Sequence, residues 1–228
     1  MYYKNINEDN RQRWIERTLR DIPSGLRILD AGAGELRNRR FCNHLNYVSQ
    51  DFCQYEGRGN REGLQTGTWD TSKIDIVSDI TSIPMEDESF DVVLCSEVLE
   101  HVPDPVRAVK ELTRLLRPGG TLILTAPFAS IVHFAPQHYA TGFSRYWYEH
   151  HLASLDFNIL ELTPNGDWFL YTYQEIMRMG SMARKCRDPY WLLAYVLGYM
   201  AKFYFSFRRG KKAEDVACFG WHCVAKKR

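Results

Sequence analysis

Two apolar runs, FDVVLCS at residues 90–96 and TLILTAP at 121–127, enclose a segment that reads as a capped helix. That arrangement constrains the fold more than any other feature of the chain. Runs without polar alternation are strands buried on both faces, as in a parallel sheet covered by helices. A parallel pair needs a long crossover, and residues 105–117 supply it. Asp104 can cap this helix, Pro105 fits its first turn, and Pro118, Gly119 and Gly120 end it. Val106, Val109, Leu112, Leu115 and Leu116 form its apolar stripe.

The same alternation runs upstream. Residues 9–20 read as a surface helix with Trp14, Ile15 and Leu19 on one side. Three further strands follow at 26–30 (LRILD), 45–51 (LNYVSQD) and 74–79 (IDIVSD), with a helix expected after the glycine loop at 32–34. Residues 54–73 lack periodicity and read as a long loop over the ligand end of the sheet. Downstream, 144–155 reads as a helix, while 157–162 and 219–225 read as strands that pair antiparallel. The fold class is therefore α/β, a doubly wound, mostly parallel, seven-stranded sheet with an antiparallel C-terminal strand pair and a helical insertion. Residues 1–228 are expected to form one domain, with an acceptor-side cap at 129–155 and the insertion at 168–215.

Composition excludes several classes. The 228 residues are 45% hydrophobic, enough for a full core. Lys plus Arg (29) nearly balances Asp plus Glu (28), so no overall field favours nucleic acid. Six cysteines without a CxxC pair, and a charged N-terminus without the apolar core of a signal peptide, fit a reduced, cytoplasmic compartment.

The glycine loop in RILDAGAGELRNRRF, residues 27–41, points to a nucleotide. A dinucleotide fingerprint needs a third glycine where Arg37 stands, and no Gly-Lys-Ser/Thr follows as in a P-loop. A ligand with a ribose but no pyrophosphate remains. Asp51, ending the second strand, is placed to accept hydrogen bonds from two ribose hydroxyls, and Asp79 could face a base.

Three blocks, ILDAGAG, DITSIPMEDESFDVVLCSEVLEHVPDP and ELTRLLRPGGTLILTAPF, resemble successive motifs of the class I S-adenosylmethionine-dependent methyltransferases, type 11-like, with their Rossmann-like fold. The resemblance covers residues 26–128 in detail and implies S-adenosyl-L-methionine as cofactor. It implies that Asp30, Ala31 and Gly32 lie against the methionine part, with Gly34 in close approach. It places Asp51 and the adjacent Phe52 at the ribose, Asp79 and Ile80 at the adenine, and Cys95 and Ser96 on the floor. Where the family often has a third glycine, this chain has Leu36.

For the acceptor, HFAPQHYATGFSRYWYEHH at 133–151 combines aromatic rings with His and Arg just after the fifth strand. Such a set suits a sugar ring, stacked on its apolar face and held by its hydroxyls. His133 and His138 are the expected bases, and Tyr139, Arg145, Tyr146 and Trp147 the expected substrate contacts. The preferred reaction is O-methylation of a sugar or sugar-bearing small molecule in polysaccharide or specialised metabolism. The alternatives are a quinone or other isoprenoid, lipid-linked acceptor, and a non-catalytic S-adenosylmethionine-binding protein. Glu97, Glu100 and His101 stand at helical spacing that could hold a divalent ion, but with no further ligand in sight no metal is expected.

Residues 189–207 are apolar apart from Lys202, and Arg208, Arg209, Lys211 and Lys212 follow. Four tyrosines, a glycine and a lysine make this a poor membrane-spanning helix. Trp191, Tyr195, Tyr199 and Phe203 form an aromatic stripe, which leaves open a packed helix or homodimer on one side and peripheral membrane contact on the other.

Overall fold

The computed structural model describes residues 6–208 and 213–228, so Arg209, Lys211 and Lys212 of the basic cluster lie outside the described residues. The chain forms two compact units, Met1–Thr163 with Gly220–Arg228, and Pro164–Phe219.

The first unit is built on a seven-stranded sheet of order β3-β2-β1-β4-β5-β7-β6. Its strands are β1 (Arg27–Ala31), β2 (Asn46–Asp51), β3 (Ile76–Val77), β4 (Phe90–Ser96), β5 (Leu116–Pro127), β6 (Phe157–Asn165) and β7 (Gly220–Lys227). β1 runs parallel to both β2 and β4, with Leu29 opposite Val48 on one side and Val93 on the other. The order reverses there, because the chain leaves β1 towards β2 and β3 and returns to β4. This topological switch point opens a crevice beyond the carboxyl ends of the strands.

β7 separates β5 from β6 and runs antiparallel to β5, with Leu124 opposite Cys223. The Arg228 N–H donates to the Asp156 carbonyl, so β7 ends where β6 begins and the two are also antiparallel. The expected strand pair exists, and it sits at the edge with β7 inserted next to β5.

Helix α1 (Ile6–Arg20) buries Trp14, Ile15 and Leu19 against Ile28, Leu94 and Ile123. α2 (Pro105–Leu115) is capped by Asp104, whose carboxylate accepts the Arg107 N–H at 2.9 Å. It ends two residues before the expected boundary. Leu116 already pairs with Phe90, and the Arg117–Gly120 turn bulges out before pairing resumes at Thr121. α3 (Arg145–Ser154) buries Tyr148 and Leu152.

Two expected elements are shorter than the sequence pattern suggests. The third strand contracts to Ile76–Val77, and the helix expected after the glycine loop is a single 3₁₀ turn at Arg39–Phe41. Leu36 explains the second difference, because its φ of 60° is left-handed and cannot propagate an α-helix. That conformation costs a non-glycine residue roughly 1–2 kcal/mol, and it falls at the position where the family often carries glycine.

In the second unit, α4 (Trp168–Lys185) and α5 (Trp191–Ser206) form a helical hairpin. Gly180 admits the Tyr195 ring against α4, since a Cβ there would lie 2.4 Å from it. The rest of α5 is unusually exposed. Leu192, Leu193, Val196, Leu197, Met200 and Phe203 all show half or more of their surface, or close to it. Among the described residues no helix is long and apolar enough to cross a membrane.

His222 on β7 stacks on Trp14 at 4.7 Å and is buried with no partner for its Nε2. Burial pushes its pKa from 6.5 down to about 3. Below the ordinary value the unfolded chain takes up a proton that the folded chain refuses, so stability falls as pH drops from 6.5 towards 3. The limit is about 1.4 kcal/mol per pH unit. Replacing His222 with Phe is expected to flatten the pH dependence of the urea midpoint across that window. An unchanged slope would remove His222 from the account.

Candidate active site

The crevice beyond β1, β2 and β4 holds a cavity of about 470 Å³, within the roughly 300–1,000 Å³ of small-molecule sites. One end is polar. Gly32, Gln50, Asp51, Ser78, Asp79 and Ile80 line it. The Asp51 carboxylate accepts the Gly34 N–H through Oδ2 and the Cys53 N–H through Oδ1, both at 2.9 Å. Those bonds fix its plane and leave further lone pairs on each oxygen for a ligand hydroxyl. Gln50 donates to the Ser78 carbonyl at 2.7 Å and so ties β2 to the segment leading to Asp79.

Glycine is required at two points of the loop. Gly32 has φ +74°, and an added Cβ would meet Val98 at 2.3 Å. Gly34 has φ +52°, and its Cβ would strike the Trp69 ring at 2.5 Å. The turn is therefore closed over by side chains from 69 and 98, both of which also line the cavity.

The other end is aromatic. Tyr55 stacks on Phe134 at 4.5 Å, and Trp69 meets both rings edge-on at 5.9 and 5.2 Å. The backbone reinforces this cluster. Leu64 N–H donates to Val132, Phe134 N–H to Leu64, and Asn60 N–H to Ala135, each at 3.0 Å. Residues 54–73 are thus strapped to the segment after β5, and Gly59 and Gly63 permit the close approach because a Cβ at either would run into the Ala135 or Val132 carbonyl.

Behind Phe134 lies a cluster of imidazoles. His101 stacks on Phe134 at 5.1 Å, and its ring centre is 4.7 Å from that of His133 and 5.9 Å from that of His138. Glu100 is fully buried beside them, with Oε1 3.7 Å from His101 Nε2 and 3.9 Å from His133 Nε2. Burial, reinforced by the Glu97 charge, raises the Glu100 pKa well above the ordinary carboxylate value. Burial also lowers His101 to about 3, with the neighbouring His133 adding to the effect, so His101 is neutral at physiological pH. Glu97, in contrast, is committed. Arg11 of α1 donates to its Oε2 at 2.9 Å, and the Thr125 hydroxyl donates to its Oε1 at 3.0 Å.

Of the expected cofactor residues, Gly32, Asp51, Phe52, Asp79 and Ile80 reach the cavity wall. Asp30, Ala31, Gly34, Cys95 and Ser96 are not part of that wall. Asp30 accepts the Tyr47 hydroxyl at 2.7 Å and is raised by burial to about 6. Cys95 is wholly buried within β4, because the strand's alternation turns it into the sheet's packing rather than the crevice, and Ser96 bonds to Thr125 instead. Of the expected acceptor residues only Tyr139 lines the cavity. Arg145 pairs with Glu149 at 2.7 Å, Tyr146 is 71% exposed, and Trp147 packs on Phe143 and His151. His133 and His138 sit behind His101, which faces the cavity. Tyr55 and Trp69 carried no sequence signal, since a loop without periodicity gives no hint of which rings will meet, whereas Phe134 lies in the aromatic segment singled out at 133–151.

Fold and crevice together define an α/β protein built to hold a nucleoside-bearing ligand at the switch point. Residues 29–124 match the methyltransferase domain family, so this stretch carries the S-adenosylmethionine-dependent methyltransferase domain that the three sequence blocks resemble. It is 25% identical over 181 residues to a ubiquinone biosynthesis O-methyltransferase of Leptothrix cholodnii, covering 78% of this chain and 68% of that one. It is 32% identical over 124 residues to a demethylmenaquinone methyltransferase of Clavibacter sepedonicus, covering 52% of this chain and about half (49%) of the relative. A phosphoethanolamine N-methyltransferase of Haemonchus contortus, solved with S-adenosylhomocysteine, shares the fold at a TM-score of 0.56 and 14% identity, over 96% of this chain and 52% of that one.

Phe134 joins both halves of the strap, and its loss removes four ring contacts together. Phe134→Ala is expected to cost about 2 kcal/mol of local stability and to speed proteolysis within residues 54–73 well before global unfolding. Cleavage at the wild-type rate would mean that the strap holds without the ring.

Proposed function

We propose that the chain transfers a methyl group to a hydroxyl of an aromatic, quinone-type acceptor carrying an isoprenoid chain. The observation that carries this reading is the division of one cavity into a polar end at Asp51 and Asp79 and an aromatic end at Tyr55, Trp69 and Phe134. A flat, largely apolar ring fits between such side chains better than a free sugar does. The names of the two curated relatives lean the same way, both being quinone-pathway methyltransferases.

In this reading Gly32, Asp51, Asp79 and Ile80 hold S-adenosylmethionine, which supplies an electrophilic methyl group on its sulfonium. The Asp51 carboxylate binds the ribose hydroxyls. The aromatic end orients the acceptor and excludes water, so that its oxygen can be held about 3 Å from the methyl. A hydroxyl is a weak nucleophile until it gives up its proton. His101, the imidazole on the cavity wall in front of the expected bases His133 and His138, is the group within reach of that proton.

Two measurements test this. Asp51→Ala is expected to weaken S-adenosylhomocysteine binding about tenfold or more by calorimetry, because two hydroxyls lose a charged partner. With a labelled methyl donor, a short-chain isoprenoid quinol is expected to accept label while free and nucleotide-linked sugars do not. Label on sugars alone would restore the sugar reading and overturn this one.

The acceptor class also gives α5 a role. An isoprenoid quinone resides in lipid, and α5 exposes an apolar surface with Lys202 and Arg208 near its end. We infer that α5 rests on an anionic lipid surface. Co-sedimentation with phosphatidylglycerol vesicles, lost on changing Leu193 and Phe203 to Glu, is the expected result. A concentration-dependent rise in mass without vesicle binding would mean that the surface pairs with a second copy of the chain.

A further inference from the structure

We propose that His101, His133 and His138, with Glu100, form a binding site for one divalent first-row transition-metal ion. The three histidines each offer a ring nitrogen, and those atoms all lie within 4.8 Å of one another. They come from two segments, the 3₁₀ turn after β4 and the strap after β5, so only the fold brings them together.

The orientation of the rings is the stronger observation. His101 Nδ1 bonds to the Gln137 carbonyl and His133 Nδ1 bonds to the Ile131 carbonyl at 3.0 Å. A carbonyl can only accept, so both Nδ1 atoms carry the proton and both Nε2 atoms present a lone pair. Those two Nε2 atoms are the ones that face Glu100 Oε1, at 3.7 and 3.9 Å. Fixing the outer nitrogen of an imidazole on a backbone carbonyl is how metal-binding histidines are held in tautomer and aim.

The second observation is a set of orphaned donors. Both carboxylate oxygens of Glu100 and both ring nitrogens of His138 are buried with no hydrogen-bond partner. Glu100 is 0% exposed, and the nearest cation on α1, Arg11, is already paired with Glu97. Leaving four such atoms unsatisfied is costly, and a single cation bound among them would satisfy Glu100, His138 and the two Nε2 lone pairs together.

Three imidazoles and one carboxylate select Zn²⁺, Co²⁺, Fe²⁺ or Ni²⁺ over Mg²⁺ or Ca²⁺, which prefer oxygen. Bonds of about 2.0–2.2 Å require the donors to draw together from their present spacing by small shifts of these side chains. Glu97 is not a ligand in this arrangement, because Arg11 and Thr125 occupy its oxygens. His101 lines the cavity, so an ion here would touch the acceptor's end of it. There it would lower the pKa of a coordinated hydroxyl, with the released proton passing to solvent. That use of the ion rests on the proposed acceptor, whereas binding of the ion does not.

The test is Co²⁺ titration of the full chain after chelator treatment, read by its visible ligand-field absorption and by metal analysis after gel filtration. S-adenosylhomocysteine titration in parallel reports that the chain is folded. The expected result is about one ion per chain, displaced by Zn²⁺, with affinity at least about tenfold weaker in the His133→Gln, His138→Gln double variant while S-adenosylhomocysteine affinity is kept. A chain that binds S-adenosylhomocysteine yet retains no Co²⁺ would overturn the site, and so would Co²⁺ binding indifferent to the double substitution. Metal uptake without quinol methylation would leave the site standing and remove the proposed acceptor; quinol methylation by the metal-free chain would leave the acceptor and the binding site standing and remove only the ion's part in activating the hydroxyl.

Discussion

Burial of β1 and β4 on both faces is the constraint from which the rest follows. Ile28, Leu29, Val93 and Leu94 are fully buried, and each contributes about 1.5–3 kcal/mol relative to exposure. Strands covered on both sides must be joined by crossovers, and crossovers that leave β1 in opposite directions open a crevice beside it. The cavity wall is made by the carboxyl ends of β2 and β3, the turns that follow the strands, and the segments strapped above them. Four of the eight non-glycine residues at positive φ among the described residues lie at the same place. Leu36, Cys53, Glu97 and Phe134 are non-glycine residues at positive φ, and each directs the chain sharply at the carboxyl edge of the sheet.

Charge is handled in two different ways around this crevice. Glu97 is neutralised by Arg11 across an ion pair whose partners are 17% and 26% exposed, and this ties α1 to the turn after β4. Glu100, three residues on, has no such partner and is surrounded by imidazoles instead. The first arrangement is structural and holds an element in place. The second keeps desolvated donors at the edge of a cavity, which is the condition under which a carboxylate either holds a proton or takes a metal ion. The aromatic strap matters to both, since Phe134 separates the histidines from the rings of Tyr55 and Trp69.

The helical hairpin obeys a different economy. α4 covers one side of α5 through the Gly180 and Tyr195 contact, but the remaining aliphatic and aromatic side chains of α5 stay exposed. Scattered exposed apolar residues are ordinary, whereas a contiguous set along one helix marks an interaction surface.

The order of elements was legible from the chain alone. Runs such as FDVVLCS and TLILTAP state their burial in their composition, and Asp104 with Pro105 states where α2 begins. The glycine loop and Asp51 were legible too, because their chemistry is local to one turn. The helix after that loop was misread, since nothing in Leu36 itself announces a left-handed backbone. Arg145, Tyr146 and Trp147 looked like acceptor contacts by proximity in sequence, yet α3 turns them away from the cavity. Tyr55, Trp69 and Phe134 meet only because residues 54–73 fold back onto the strap, and His101 joins His133 and His138 for the same reason. By itself the sequence determined the sheet, its switch point and the polar end of the cavity, all of which rest on short-range pattern. The tertiary structure decided the aromatic end and the Glu100–histidine cluster, because contacts between loops distant in the chain leave no periodicity to read.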